Sequence, residues 1–274
     1  MATLHSKKLK VHLIKEWRAF SIAIQFLTTL PVVVRRPTVT GPSENNSFQF
    51  KPKLQGRSFI WYPAVGLVLG VLLTLLIALL PLPFYLTAAI VIAFWVVLTG
   101  GLHLDGLADC ADAWMAGLGD REKTLRVMKD PLCGAMGVLS LTLILLIKVA
   151  ALAAVITLGH WVWLWAIPLL SRLSLLLLFL TTPYVRPQGL GEVLARHFPQ
   201  SLAKTVVLVI SLVLFLILPF PIWLIWLVAV LLVYGAVRSM AMKRLQGITG
   251  DVAGAQVELV EAALLIAVCF ISIG

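Results

Sequence analysis

Charge is what this sequence has least of. Asp, Glu, Lys and Arg together make up 12% of its 274 residues, while 61% are hydrophobic. A water-soluble domain cannot cover itself with so little polar surface. Cysteine is scarce as well. Cys110, Cys133 and Cys269 have no paired spacing, which argues against a disulfide framework or a zinc site. Acidic residues number 12 against 22 Lys and Arg. No nucleic-acid-binding motif accompanies that basic excess, so it is read as the mark of cytoplasmic loops and anionic lipid, with no nucleic-acid partner. The basic N-terminus is not followed by a short apolar core and a small-residue cleavage site, so no removed signal peptide is expected.

What is present is a series of apolar runs, each about long enough to cross the ~30 Å hydrocarbon layer. They fall near residues 59–80, 84–102, 135–157, 161–182, 203–218, 221–242 and 252–273. The expected fold class is therefore all-α: a polytopic membrane protein with about seven spans. A weakly apolar segment from Trp17 to Val34 contains Arg18 and Pro31 and reads as an interfacial helix. Residues 35–55, rich in Pro, Asn, Ser and Gly, read as a loop. The organisation is thus a cytoplasmic N-terminal segment over 1–57 and a transmembrane catalytic domain over 58–274.

The few charges are placed unevenly. Connections near 81–83, 158–160 and 219–221 hold no Lys, Arg, Asp or Glu. The alternate connections hold nearly all of them: ten basic residues before the first span, then Arg121, Lys123, Arg126 and Lys129, then Arg186 and Arg196, then Lys243 and Arg244. Basic loops favour the cytoplasm. This puts the N-terminus and every charged loop on the cytoplasmic side of the cell (inner) membrane.

The richest segment runs Thr99-Gly-Gly-Leu-His-Leu-Asp-Gly-Leu-Ala-Asp-Cys-Ala-Asp112. Asp105, Asp109 and Asp112 are spaced i, i+4, i+7. At about 100° per residue they share an arc of about 60° on one helix face. Three carboxylates in an apolar setting require a compensating cation. Oxygen-only ligands suit Mg²⁺, with Mn²⁺ as the alternative. A solvated acidic helix face is the bland reading. His103 would lie on the other side of that helix, as a helix-end histidine or a catalytic one.

Three further clusters carry polar chemistry. Lys129 and Asp130 precede Pro131, Gly134 and Gly137 at the start of a span, where a glycine-rich helix N-terminus can cradle phosphate or simply pack closely. The string Gly247-Ile-Thr-Gly-Asp-Val-Ala-Gly-Ala-Gln-Val-Glu258 puts Asp251 and Glu258 on one face of the last span. Gly247, Gly250, Gly254 and Glu258 are candidate substrate-binding positions within it. Glu258 lies about two turns into the membrane, so an internal ion pair with Lys148 or Arg172 is its competing role. Arg186, and likewise Arg57, are either phosphate clamps or ordinary positive-inside residues. An acidic stripe, basic residues and glycine-rich turns on one membrane face suit phosphoryl transfer. They suit alternating-access transport less, because the outer connections are nearly bare.

At these motifs the sequence resembles the cobalamin synthase family, the adenosylcobinamide-GDP ribazoletransferases. The matching features are Phe26-Leu-Thr-Thr-Leu-Pro31, Gly56-Arg-Ser through Tyr62-Pro-Ala-Val-Gly66, the Thr99–Asp112 string, Met128-Lys-Asp130 with Gly134 and Gly137, Ser171-Arg172, Tyr184 to Gly191, and Gly247 to Glu258. They run in family order over roughly residues 20–270. Three features depart from the pattern. Ala113 stands where the family usually has Gly, Pro131-Leu132 replace a Ser-Arg pair, and the N-terminal region is longer.

The resemblance implies that the 3′-hydroxyl of α-ribazole 5′-phosphate, or of free α-ribazole, attacks the corrinoid-side phosphorus of adenosylcobinamide-GDP, releasing GMP. In that scheme Asp105, Asp109 and Asp112 carry one or two divalent ions, with Asp251 as a further ligand. Asp130 or His103 is the general base, and Arg57, Lys129, Arg172 and Arg186 neutralise phosphates. The bilayer is the remaining partner, and homo-oligomerisation is left open. Two rivals are a CDP-alcohol phosphotransferase acting on lipid and an ion-coupled transporter using Lys148, Arg172, Glu258 and Glu261.

Overall fold

The structure, a computed structural model, describes residues 2–32, 52–187 and 189–270. Most of the loop expected over 35–55 lies outside the described residues, as does the end of the last expected span. Among the described residues the chain is helical, and its one β-type pairing is an isolated bridge. The helices are α1 (Ala2–Leu27), α2 (Pro52–Ser58), α3 (Tyr62–Leu79), α4 (Phe84–Thr99), α5 (Leu102–Gly117), α6 (Arg121–Val127), α7 (Ala135–Thr157), α8 (Ala166–Thr181), α9 (Leu190–Arg196), α10 (Gln200–Ile217), α11 (Phe220–Leu245) and α12 (Gly250–Cys269).

Among the described residues six segments are long and apolar enough to cross a bilayer: Pro52–Leu79, Ala135–Thr157, His160–Thr181, Gln200–Ile217, Phe220–Leu245 and Gly250–Cys269. The apolar helix α4 with α5 makes a seventh candidate, bent by 90° between the two. These match the runs expected from sequence, apart from that bend. Its cause is local. Gly100 and Gly101 both adopt left-handed backbone, at φ 62° and 69°, which ends α4 and starts α5 in a new direction. Proline punctuates elsewhere: Pro83, Pro199 and Pro219 immediately precede α4, α10 and α11.

Burial is graded across the bundle. The helices α10 and α11 present apolar side chains such as Leu208, Leu212 and Leu232 outward, as a lipid-facing surface must. The helix α12 is central, and its Ala253, Ala255 and Ala262 admit close neighbours on several sides. It packs on α5, α7, α8 and α11. The helix α1 joins the same core through Ala19, Ala23 and Leu27, and the chain leaving it is tied to the end of α4 where the Thr29 N–H donates to the Leu98 carbonyl at 2.8 Å.

The deep charges are paired inside the bundle. Lys148 Nζ on α7 donates to Glu258 Oε2 at 2.8 Å and to Glu261 Oε2 at 2.6 Å, both on α12. Arg172 on α8 pairs with the other oxygen of Glu261, which also accepts from the Ser171 hydroxyl at 3.1 Å. Burying an ion in hydrocarbon is expensive unless it is compensated, and three helices share the compensation here.

Candidate active site

The Gly100–Gly101 bend carries α5 across the bundle to the beginnings of α12 and α7. At one end of this crossing Gly106 abuts the Asp251 backbone. At the other, Asp112 reaches the first turn of α7, where its two oxygens accept the backbone N–H groups of Gly134 at 2.7 Å and Gly137 at 2.8 Å. The glycine-rich helix start is therefore a cradle whose anion is supplied by the chain itself. Helical spacing makes Asp112 a candidate metal ligand. The structure instead commits both its oxygens to capping α7.

A second long-range contact brings up the loop after α8. Tyr184 and Ile248 form a parallel bridge: the Val185 N–H donates to the Ile248 carbonyl at 2.9 Å and the Ile248 N–H to the Pro183 carbonyl at 2.8 Å. Gly247 sits in this crossing, where a Cβ would collide with Val185 and the Pro183 carbonyl, so its role is structural. The crossing sets Arg186 against Asp251, with Nη1 to Oδ2 at 2.6 Å. Thr249 caps α12 by accepting the Val252 N–H at 3.3 Å.

Between these contacts lies a cavity of about 500 Å³, within the usual range for small-molecule sites. Its polar lining is His103, Asp105 and Asp109 of α5, Lys129, Arg186, and Asp251 at the start of α12. Gly250 and Gly254 line it too. Asp109 is crowded by like charges, with Asp105, Asp251 and Asp112 all acting on it and Arg186 opposing them. Among the described residues no three His, Cys, Asp or Glu side chains converge as a ready-made metal cage. An ion held here would need oxygens from its ligand or from water as well. His103 is 5% exposed, and its Nε2 has no partner among the described residues.

Several expected site residues are elsewhere. Arg172 is fully buried against Glu261, and Glu258 is engaged by Lys148. Neither lines the cavity, because each balances a charge inside the bundle. Arg57 pairs with Glu16 of α1, Nε to Oε1 at 2.6 Å. Burial pushes the Glu16 carboxyl up, but hydrogen bonds from Arg57 and Trp61 outweigh it and hold the group below the usual carboxylate range. Asp130 is exposed, does not line the cavity, and accepts the Leu132 N–H at 3.0 Å. Phe26, Phe59, Tyr62, Phe179 and Tyr184 form an aromatic wall of the cavity that the sequence motifs do not announce. Four of the five lie in motifs quoted above, but nothing in the one-dimensional pattern assigns them to one surface.

Fold and cavity define a class: a multipass helical membrane protein with a pocket of opposed carboxylates and cations where α5 crosses its bundle. The family model described as cobalamin-5-phosphate synthase matches residues 19–269. A Pseudomonas fluorescens protein named adenosylcobinamide-GDP ribazoletransferase is 46% identical over 251 residues, 91% of this chain and 98% of that relative. Relatives of the same name from Pseudomonas syringae pv. syringae and Pseudomonas putida are each 46% identical, covering 90% of this chain and 97% and 96% of their own lengths. No solved structure matches significantly. The chain belongs to the cobalamin-5-phosphate synthase family, and it is an enzyme.

Proposed function

We propose that the chain transfers the phosphocobinamide group of adenosylcobinamide-GDP to α-ribazole 5′-phosphate, or to free α-ribazole, with release of GMP. The observation that carries this reading is the single cavity in which Lys129 and Arg186 face Asp105, Asp109 and Asp251, in a chain whose relatives bear the ribazoletransferase name. In the reaction the 3′-hydroxyl oxygen bonds to the corrinoid-side phosphorus, the bond from that phosphorus to the GMP oxygen breaks, and GMP departs with its electron pair. The hydroxyl proton leaves to water. His103 is set aside as the base because its buried Nε2 lies in the field of Arg172, Glu261 and Lys148 inside the bundle, and Asp130 because it is exposed and away from the cavity. Arg186 and Lys129 neutralise the diphosphate, Arg186 exchanging its hold on Asp251 for phosphate oxygens.

Asp105, Asp109 and Asp251 would hold Mg²⁺, or Mn²⁺. The donor set is all oxygen, and the mutual repulsion of these carboxylates calls for a cation. Bound there, the ion would supply charge neutralisation at the leaving GMP. Asp112 is not in this set. The corrinoid is too large for the cavity and docks at its mouth. The charge-free connections at 81–83, 158–160 and 219–221 favour the opposite face as cytoplasmic, in the cell inner membrane.

The test is purified protein given both substrates and Mg²⁺, with GMP and the joined corrinoid quantified. Equimolar GMP and joined product support the proposal. Turnover of CDP-diacylglycerol alone, or ion flux in proteoliposomes without GMP, would replace it with one of the rivals.

A further inference from the structure

The cavity has two unlike walls. Its charged side comes from α5, Lys129, Arg186 and α12. Its other side is a contiguous run of aromatic rings drawn from α1, the turn at 59–61, α3, α8 and the loop after it. Phe26 and Tyr62 lie nearly parallel with centroids 6.0 Å apart. Tyr62 meets Phe59 edge-on at 4.5 Å, and Phe59 meets Phe179 at 4.6 Å. Phe179 and Tyr184 are again nearly parallel at 6.1 Å. All five rings line the cavity. Within this apolar wall Tyr62 is 2% exposed, and its hydroxyl has no hydrogen-bond partner among the described residues. A buried hydroxyl left without a partner costs stability, so it marks a place where a ligand atom belongs.

We infer that this aromatic wall seats the heterocyclic base of the ribazole substrate, with the Tyr62 hydroxyl hydrogen-bonded to the free ring nitrogen. The inference rests on the function proposed above. A flat, weakly polar two-ring base suits aromatic faces and one hydroxyl. Guanine suits them less. Its edge carries several donors and an acceptor, and each would need a polar partner once buried. The charged groups that could serve it lie on the opposite wall, where the diphosphate belongs. The corrinoid is excluded by size. Setting the base on the aromatic side lets the attached ribose lie between the two walls, with its 3′-hydroxyl toward the diphosphate.

The experiment compares purified full-length wild type with Tyr62→Phe and Phe179→Leu, measuring KM for each substrate separately. The expected result is a rise of about tenfold in KM for α-ribazole 5′-phosphate in Phe179→Leu and a smaller rise in Tyr62→Phe, with KM for adenosylcobinamide-GDP within about twofold of wild type. The phosphorylated indole riboside, in which C–H replaces the free ring nitrogen, should serve wild type and Tyr62→Phe equally well. A rise confined to adenosylcobinamide-GDP would assign the wall to guanine and overturn the inference. Unchanged KM values in the near-isosteric Tyr62→Phe and in folded Phe179→Leu would overturn it as well. If wild type transfers nothing, the proposed function falls, and equilibrium binding of free α-ribazole decides the wall by itself. Binding weakened in Phe179→Leu supports it; equal binding, or none to wild type, overturns it.

Discussion

Asp112 and Gly137 lie 25 residues apart, and the carboxylate of the first accepts the backbone N–H of the second at 2.8 Å. The same carboxylate holds Gly134, so one side chain of α5 fixes the start of α7. Asp112→Ala should lower stability by about 1–2 kcal/mol through loss of a charged cap. Asp112→Asn, which keeps one acceptor, should recover part of this. Thermal unfolding in detergent measures both. Asp109→Asn should hold the midpoint or raise it, because Asp109 is partly buried and repelled by its acidic neighbours rather than held by them.

Arg186 is the cation on the charged wall whose position is fixed by a carboxylate, through its contact with Asp251. Arg186→Ala should reduce kcat/KM by about 10- to 100-fold, the worth of a charged hydrogen bond. Arg186→Lys should recover only part of that, since an ammonium cannot reproduce the planar fork. Steady-state GMP release gives the comparison.

The buried network around Lys148 should be a matter of folding. Lys148→Met leaves Glu258 and Glu261 short of one cation, at a cost of about 3–5 kcal/mol for a broken buried pair. Adding Glu258→Gln should restore much of the folded yield, measured by monodisperse recovery from membranes. A double variant that folds and still releases GMP would argue against an ion pathway through these residues.

The docking of α1 should depend on pH. Glu16 is held below the usual carboxylate range in the folded chain, so its contribution is fully present above the unfolded value of about 4.3. It is lost as pH falls through the lower folded value. The site is part-exposed, so about 1 kcal/mol is at stake. Protection factors in α1, taken against the intrinsic exchange rate at each pH, should fall on acidification in wild type. In Glu16→Gln they should be low already at neutral pH.

The spans were legible because each is a long apolar run between Pro, Gly or charged connections, and hydrocarbon thickness fixes their length. The one-sided charge pattern was legible for the same reason. Helical spacing put Asp105, Asp109 and Asp112 on one stripe, but spacing cannot say what each carboxylate meets. Asp112 found backbone N–H groups on another helix. Arg172, read as a phosphate ligand, found Glu261 instead. The aromatic wall was out of reach, since its rings come from residues as distant as Phe26 and Tyr184 and meet only once the bundle closes.

Metal-assisted transfer on the Asp105–Asp109–Asp251 wall should show itself in GMP release from adenosylcobinamide-GDP and α-ribazole 5′-phosphate over a Mg²⁺ titration, in wild type and in Asp109→Asn. Release by wild type should depend on Mg²⁺, and Asp109→Asn should lose about 100-fold or more while unfolding at or above the wild-type midpoint. Near-normal turnover by folded Asp109→Asn at saturating Mg²⁺ would contradict it.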